Sequence, residues 1–316
     1  TFFKNEYNHI INEDSICIMP NIPKPKNFKG KEFNCSFFGI FDGHNGKKCA
    51  NFLRDNVHTY LLKSQYFPKN IELAIEDSFK KLDSDFINFY SMDEKGNLID
   101  KSGSCALLVI IADRTCYVAN VGDSRAILSN KKGLEVIQLS NDHKPNKAKE
   151  KERIHENKGV VYKANDLGIY RVLPGNLSVS RAFGDAQFKL AKFGGKPNVI
   201  ISTPEIRKFS LDFSKNDFLV LGCDGIFDKC DNFDIVNKIW ENLYNKKTIK
   251  HNVHSQAGAS ADTIIKFALS QKSNDNLTAI FIGFNGFEEE YNNALNEYRT
   301  LFDEDYTKYL NSFDTG

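Results

Sequence analysis

The 316-residue chain is predicted to take an α+β fold, with antiparallel sheet and segregated helices. Strand-like runs follow one another, and the helical stretches are grouped between those runs rather than alternating with single strands. Between Ser102 and Ser140, four such runs stand end to end: Cys105–Ala112, Thr115–Val121, Ala126–Ser129 and Glu135–Leu139. Only Asp113-Arg114 separates the first two, a connection that suits a hairpin. Two further apolar runs, Phe37–Phe41 and Phe218–Cys223, each end at an Asp-Gly pair.

Taken in order, Asn12-Glu13-Asp14 leads into a strand at Ser15–Met19. The Pro/Lys/Gly stretch from Pro20 to Lys31 reads as a loop or hairpin tip. After the Phe37–Phe41 strand, Ala50, Leu53, Val57, Tyr60 and Leu61 predict a helix over 46–62. Ile71, Ile75, Phe79, Leu82, Phe86 and Phe89 predict a longer amphipathic helix over 70–90, whose aromatic stripe is core packing. The four strands of 102–140 are expected to continue as a meander turning at Lys131-Lys132-Gly133. Residues 141–185 read as polar and irregular, with a short charged helix near 147–157. A strand interrupted at Thr203-Pro204 is expected over 199–209. Helices follow at 233–243 and 259–269, then a last strand at 277–284. The segment 287–313 repeats Tyr291, Leu295, Tyr298, Phe302, Tyr306 and Tyr309 on an acidic background, an amphipathic helix expected to dock on the body. No linker, repeat or low-complexity tract divides the chain. The expectation is one domain over 1–285, with residues 286–316 as a helix packed on it.

Composition narrows the function. A hydrophobic content of 41% supplies a sizeable core, and a net charge of +1 gives no electrostatic case for nucleic acid or membrane binding. The seven cysteines show no paired spacing. Reduced thiols in the cytoplasm or nucleus are expected, rather than disulfides or zinc. No apolar run approaches a membrane span, and no signal-peptide pattern opens the sequence.

The chemistry is concentrated at three strand ends. Asp42 and Asp224 close apolar runs, and Asp275 precedes one. Buried strands that end or begin at carboxylates point them into a common mouth. Crowded carboxylates take up protons unless a cation neutralises them. Oxygen-only ligands suit a hard divalent ion such as Mg²⁺ or Mn²⁺. One Asp-Gly after a strand is more often a turn than a ligand; two, together with Asp275, favour metal. His44, beside Asp42, is a candidate proton donor.

With these stretches in hand, the chain resembles the metal-dependent protein serine/threonine phosphatases of the PP2C (PPM) family from about Asn12 to Gly283. Asn-Glu-Asp at 12–14 and Asp-Gly-His-Asn-Gly at 42–46 look like its opening acidic motif and its Asp-Gly-His-Gly-Gly. Gly-Asp-Ser-Arg at 122–125, Asp-His-Lys-Pro at 142–145 and Glu-Lys-Glu-Arg-Ile at 150–154 follow in register. So do Leu-Ser-Val-Ser-Arg-Ala-Phe-Gly-Asp at 177–185, Cys-Asp-Gly-Ile-Phe-Asp at 223–228 and Asp-Asn-Leu-Thr at 275–278. Eight motifs in order are highly specific.

The resemblance implies a four-layer αββα sandwich, two antiparallel sheets flanked by helices, with two tight Mg²⁺ or Mn²⁺ ions at one end. Asp42 bridges both ions in this reading, Asp224 and Asp275 complete one site, and Glu13 and the Gly43 carbonyl serve the other. Asp123, with Asp224, holds a weaker third ion. Residues 141–185 include a flap beside the cleft, and Arg181 is expected near the substrate. Water acidified between the ions attacks phosphorus in line, with no phospho-enzyme, while His44 protonates the leaving seryl or threonyl oxygen. Phosphoproteins are the implied substrates of a monomeric enzyme. Two departures stand out. His9 occupies the position of the family's phosphate-clamping arginine, which leaves a phosphoprotein-binding pseudophosphatase as the rival reading. Cys105 replaces a threonine.

Overall fold

The computed structural model describes residues 12–23, 34–163, 168–245 and 248–311, with side chains as far as residue 300. His9 and most of the Pro/Lys/Gly loop lie outside the described residues.

The first part of the chain supplies β1 (Ser15–Met19), β2 (Cys35–Phe41), β3 (Gly43–His44), α1 (Lys48–Lys63) and α2 (Ile71–Phe89). Asn70 caps α2, its side chain accepting a hydrogen bond from the Leu73 amide at 3.0 Å. Next come β4 (Gly103–Ser104), β5 (Ala106–Ala112), β6 (Thr115–Val121), β7 (Arg125–Asn130) and β8 (Glu135–Gln138). The stretch up to 189 holds α3 (Ala148–Glu156), β9 (Val160–Lys163), β10 (Tyr170–Leu173), β11 (Phe183–Gly184) and the single turn α4 (Ala186–Lys189). After it come β12 (Glu205–Ser210), β13 (Asn216–Gly222), α5 (Asp224–Phe227), α6 (Asn232–Tyr244), α7 (Val253–Ser270), β14 (Ala279–Gly283) and α8 (Asn285–Asn311).

Two main sheets result, both antiparallel: β1-β2-β5-β6-β12 and β14-β13-β7-β8. The mixed α+β class therefore holds, as does the hairpin at Asp113-Arg114, where Ala112 pairs with Thr115. Ile40, Leu107 and Val109 of the first sheet share one buried cluster with Ala126, Leu128, Leu219 and Leu221 of the second. The other face of the first sheet, through Phe37, Leu108 and Ile110, packs with Leu53 of α1 and Ile75, Phe79 and Leu82 of α2. Ile235, Ile239 and Trp240 of α6 and Ile264 and Ile265 of α7 join the cluster of the second sheet. β5 and β13 are thus covered on both faces, which is why they read as unbroken apolar runs instead of alternating ones.

Three expectations need correction. The strands of 102–140 are not one meander: β6 belongs to the first sheet and β7 to the second. The chain crosses between them at Gly122-Asp123-Ser124, where Gly122 has φ +111° and lies against Cys105, leaving no room for a side chain. Residues 141–185 are not irregular throughout, since β9 and β10 pair as a hairpin and β11 pairs with β4. The strand expected from 199 begins only at Glu205, because Pro204 has no amide to give a ladder. Among the described residues, no helix is long and apolar enough to cross a membrane.

Candidate active site

The sheet ends carry the site. β2 stops at Phe41 and delivers Asp42; β13 stops at Gly222 and delivers Asp224 at the first turn of α5. Asp123 sits on the crossing between the sheets. Carboxylate oxygens of Asp42, Asp123 and Asp224 all lie within 4.8 Å of one another. These three line a cleft of about 470 Å³ together with Glu13, Gly43, His44, Asp275 and Asn276 from the strand ends and Arg171, Gly175 and Asn176 from beyond β9. Gly43 must be glycine here, because a Cβ would run into the Glu13 carbonyl.

Distant segments are bound to one another around this mouth. The Glu13 amide donates to Asn276 Oδ1 at 2.9 Å, and Glu13 Oε1 accepts from the Gly46 amide at 2.8 Å. Thr278 Oγ1 donates to Asp14 Oδ2 at 2.6 Å. The Asn276 amide donates to Asp275 Oδ1 at 2.8 Å.

The electrostatics are those of crowded, buried carboxylates, an arrangement that could hold a cation. Burial pushes Asp42 well above the usual carboxylate range, and the charges of Asp224, Asp14, Asp123 and Asp275 push it the same way. Asp224 is raised for the same reasons, with Asp123 and Asp275 as its main neighbours. Burial also raises Asp123, although the Lys144 ammonium, 3.1 Å from its Oδ2, pulls the other way. Lys144 reaches Asp228 as well, at 2.8 Å. One lysine does not balance five carboxylates, and Asp14 Oδ1 is buried with no hydrogen-bond partner. The donors at the centre are all oxygen, which fits Mg²⁺ or Mn²⁺ and not zinc. Cys105 does not alter that set. Its Sγ lies 3.6 Å from Asp123 Oδ1, and burial holds its thiol well above the ordinary range. Cys223 is likewise a buried, neutral thiol, bonded to the Asn276 carbonyl at 3.2 Å.

His44 lies at the rim with its side chain a quarter exposed, and its Nε2 is 2.8 Å from Asp185 Oδ2. Burial lowers its pKa, but the charge and hydrogen bond of Asp185 outweigh this and leave it raised.

The structure thus brings Glu13, Asp42, Gly43, His44, Asp123, Asp224 and Asp275 to one cleft. Arg181 is elsewhere. Its guanidinium forks onto Glu150, with Nη2 at 2.6 Å from Oε1, and donates to the Thr203 carbonyl at 2.9 Å. It lines a separate cavity and is bound to a buried carboxylate, so it does not join the cleft of the carboxylates, where a substrate contact was expected of it. His9 lies outside the described residues. Sequence reasoning gave no role to Asp14, Asp185 or Arg171. Asp14 and Asp185 stood inside quoted motifs, as the last residues of Asn-Glu-Asp and of the 177–185 stretch. Arg171 carried no signal, since its strand was read as irregular.

The sequence matches the family model described as "Protein phosphatase 2C" over residues 1–277. It is 35% identical over 259 residues to "Probable protein phosphatase 2C 52" of Oryza sativa subsp. japonica, covering 82% of this chain and 46% of that protein. It is 33% identical over 277 residues to "Probable protein phosphatase 2C 27" of Arabidopsis thaliana, covering 86% and 65%. The chain therefore spans about half to two thirds of the length of these two relatives. In structure it is similar to a serine-threonine phosphatase 2C from Toxoplasma gondii, with TM-score 0.66, 22% identity, and coverage of 86% of this chain and 94% of that one. It is also similar to a C. elegans sex determining protein, with TM-score 0.71, 23% identity, and coverage of 89% and 64%. At these identities the structural likeness speaks for the fold alone.

Proposed function

This chain belongs to the protein phosphatase 2C family, and from that premise we propose that it hydrolyses phosphoserine and phosphothreonine esters of proteins. We read its layers as the four-layer αββα sandwich, with residues 1–285 as the phosphatase domain, residues 141–185 including its flap, and α8 as a helix packed on it. The enzyme acts as a monomer on phosphoprotein substrates. One observation carries the reading: three carboxylates converge within 4.8 Å beside a histidine paired to a buried aspartate.

Two Mg²⁺ or Mn²⁺ ions would be held by Asp42, Asp224 and Asp275 and by Glu13, Asp42 and the Gly43 carbonyl. Asp123, with Asp224, serves a weaker third. When bound, such ions acidify water enough to attack phosphorus near neutral pH, and they offset phosphate charge. Asp14, bonded to Thr278 and facing Asp42, orients polar atoms at the base of the site. Arg171, in the cleft where Arg181 is not, offers the planar cation suited to a phosphate or an acidic peptide.

His44 completes the reaction. The Asp185 bond occupies Nε2, leaving Nδ1 as the nitrogen that gives up a proton. The P–O bond to the seryl oxygen breaks as water oxygen bonds to phosphorus. The Nδ1 proton goes to the departing oxygen, the water proton to solvent, and the products are inorganic phosphate and the free hydroxyl. No covalent phospho-enzyme is required. The test compares His44→Gln on a phosphoserine peptide and on an aryl phosphate, whose leaving group needs no proton. A kcat loss of about 10²–10⁴ confined to the peptide is expected. Equal losses on both would remove His44 from the role of acid.

A further inference from the structure

Asp185 is the buried titratable group nearest the chemistry that binds nothing in the cation cluster. Its side chain is 0% exposed, and Oδ1 is buried without a hydrogen-bond partner. Its single side-chain hydrogen bond among the described residues is the one to His44 Nε2 at 2.8 Å. Burying a carboxylate with one oxygen unpaired is costly. An aspartate just before a helix ordinarily spends its carboxylate on the helix amides. Asp185 precedes α4, yet makes no such cap bond. Its side chain is turned to the histidine instead.

The backbone around it is held to keep that aim. Asp185 stands at φ +52°, a left-handed conformation that aspartate and asparagine tolerate better than most residues. Its amide donates to the Ser102 carbonyl at 3.1 Å. The preceding Gly184 amide donates to Asp83 Oδ1 at 2.8 Å. Asp83, on α2, also takes two bonds from Lys189 Nζ, at 2.8 and 2.6 Å, and Lys189 donates in turn to the Ala182 carbonyl at 2.8 Å. A buried ion pair between α2 and α4 thus brackets residues 182–189 on both sides of Asp185. On the other side of the pair stands Gly103, where a Cβ would collide with both Asp185 Oδ2 and His44 Nε2. The space for this one hydrogen bond is kept open by a missing side chain.

From this geometry we propose that Asp185 is a positioning residue for the proton transfer. It fixes the His44 ring with Nε2 as donor to the carboxylate, so that Nδ1 carries the transferable proton toward the leaving oxygen. The Asp83–Lys189 pair holds Asp185 in that place. The proposal rests on His44 being the proton donor.

The experiment measures kcat and KM for wild type, His44→Gln, Asp185→Asn and Gly103→Ala on a phosphoserine peptide and on an aryl phosphate, at saturating Mg²⁺. The amide in Asp185→Asn keeps the shape and tolerates the backbone, but loses the charge. The expected result for Asp185→Asn is a loss of about 10²-fold in kcat on the peptide, unchanged KM, and a much smaller loss on the aryl phosphate. Gly103→Ala, which wedges the pair apart, should show the same selectivity. Selectivity in His44→Gln but equal losses, or none, in Asp185→Asn would overturn the positioning role while leaving the acid in place. An unselective His44→Gln would bring down the acid, and the proposal with it. Imidazole nitrogen–proton NMR of the Mg²⁺-loaded wild type supplies a readout that needs no stable Asp185 variant, with the His44 signal assigned by its loss in His44→Gln. A slowly exchanging proton on Nε2 is expected; its absence would overturn the proposal.

Discussion

At the residue scale, the centre of the site is an unbalanced charge. Asp42 and Asp224 are raised by burial and by the neighbouring carboxylates, so the protein without cation carries a folding cost at neutral pH. Cation binding should therefore stabilise the fold by mass action. Mn²⁺ at a hundred times its Kd adds about 2.7 kcal/mol. A clear upward shift in Tm with Mn²⁺ is expected for wild type, and a distinctly smaller one for Asp224→Asn, which loses one of the two sites. Equal shifts in both would show that the ion binds elsewhere. Arg171 makes a second residue-scale prediction. Arg171→Ala should raise KM on a phosphopeptide about tenfold or more with little change in kcat, the cost of one charge-assisted hydrogen bond. The carboxylates were legible because each stands where an apolar run stops. The bond from His44 to Asp185 was not, because 141 residues separate the two and only the folded loop brings them together.

At the scale of elements, α3 and the strands after it are organised by Glu150. This buried carboxylate bonds Arg153, Arg181 and Ser180. Burial raises its pKa, but the hydrogen bonds from Arg181 and Ser180 and the charge of Arg153 outweigh this and take it from 4.5 down to about 2. A depressed carboxylate stabilises the fold above its unfolded pKa, and that stability is lost as pH falls toward the folded value. Here the gain is about 3 kcal/mol, complete above roughly pH 5 and gone near pH 2. Glu150→Gln should lower the urea stability by about that amount at pH 7, since it leaves two arginines without their anion. The difference from wild type should shrink as pH falls from 4.5. A difference constant with pH would mean that packing, not charge, sets the effect. The motif at 150–154 was visible in the sequence, but its carboxylate partner for Arg181 was not. An arginine in a polar stretch looks the same whether it faces a ligand or a buried glutamate.

At the scale of the whole molecule, the strands and long helices were legible because double-sided burial leaves unbroken apolar runs and one-sided burial leaves a helical stripe. The step from β6 to β7 was not legible. Gly122-Asp123-Ser124 has the composition of a hairpin turn, and only the pairing partners reveal that the chain changes sheet there. That crossing is also what delivers Asp123 to the carboxylate cluster. α8 shows the stripe reading at work: Phe287, Tyr291 and Leu295 are buried, and the Phe287 ring lies 5.0 Å from Phe281, 5.8 Å from Phe218 and 5.9 Å from Trp240. Phe287→Ala should cost about 3–5 kcal/mol in denaturant unfolding. A cost below about 1 kcal/mol would mean that α8 is not part of the cooperative unit. On the proposed reading, the convergent carboxylates make this chain a cation-dependent protein phosphatase. The most direct test is phosphate release from a phosphothreonine peptide during a Mn²⁺ titration, with and without a chelator. Activity should rise to saturation with Mn²⁺, vanish on chelation, and be absent in Asp224→Asn. Release that is indifferent to Mn²⁺ and chelator, or no release at any Mn²⁺ concentration, would contradict it.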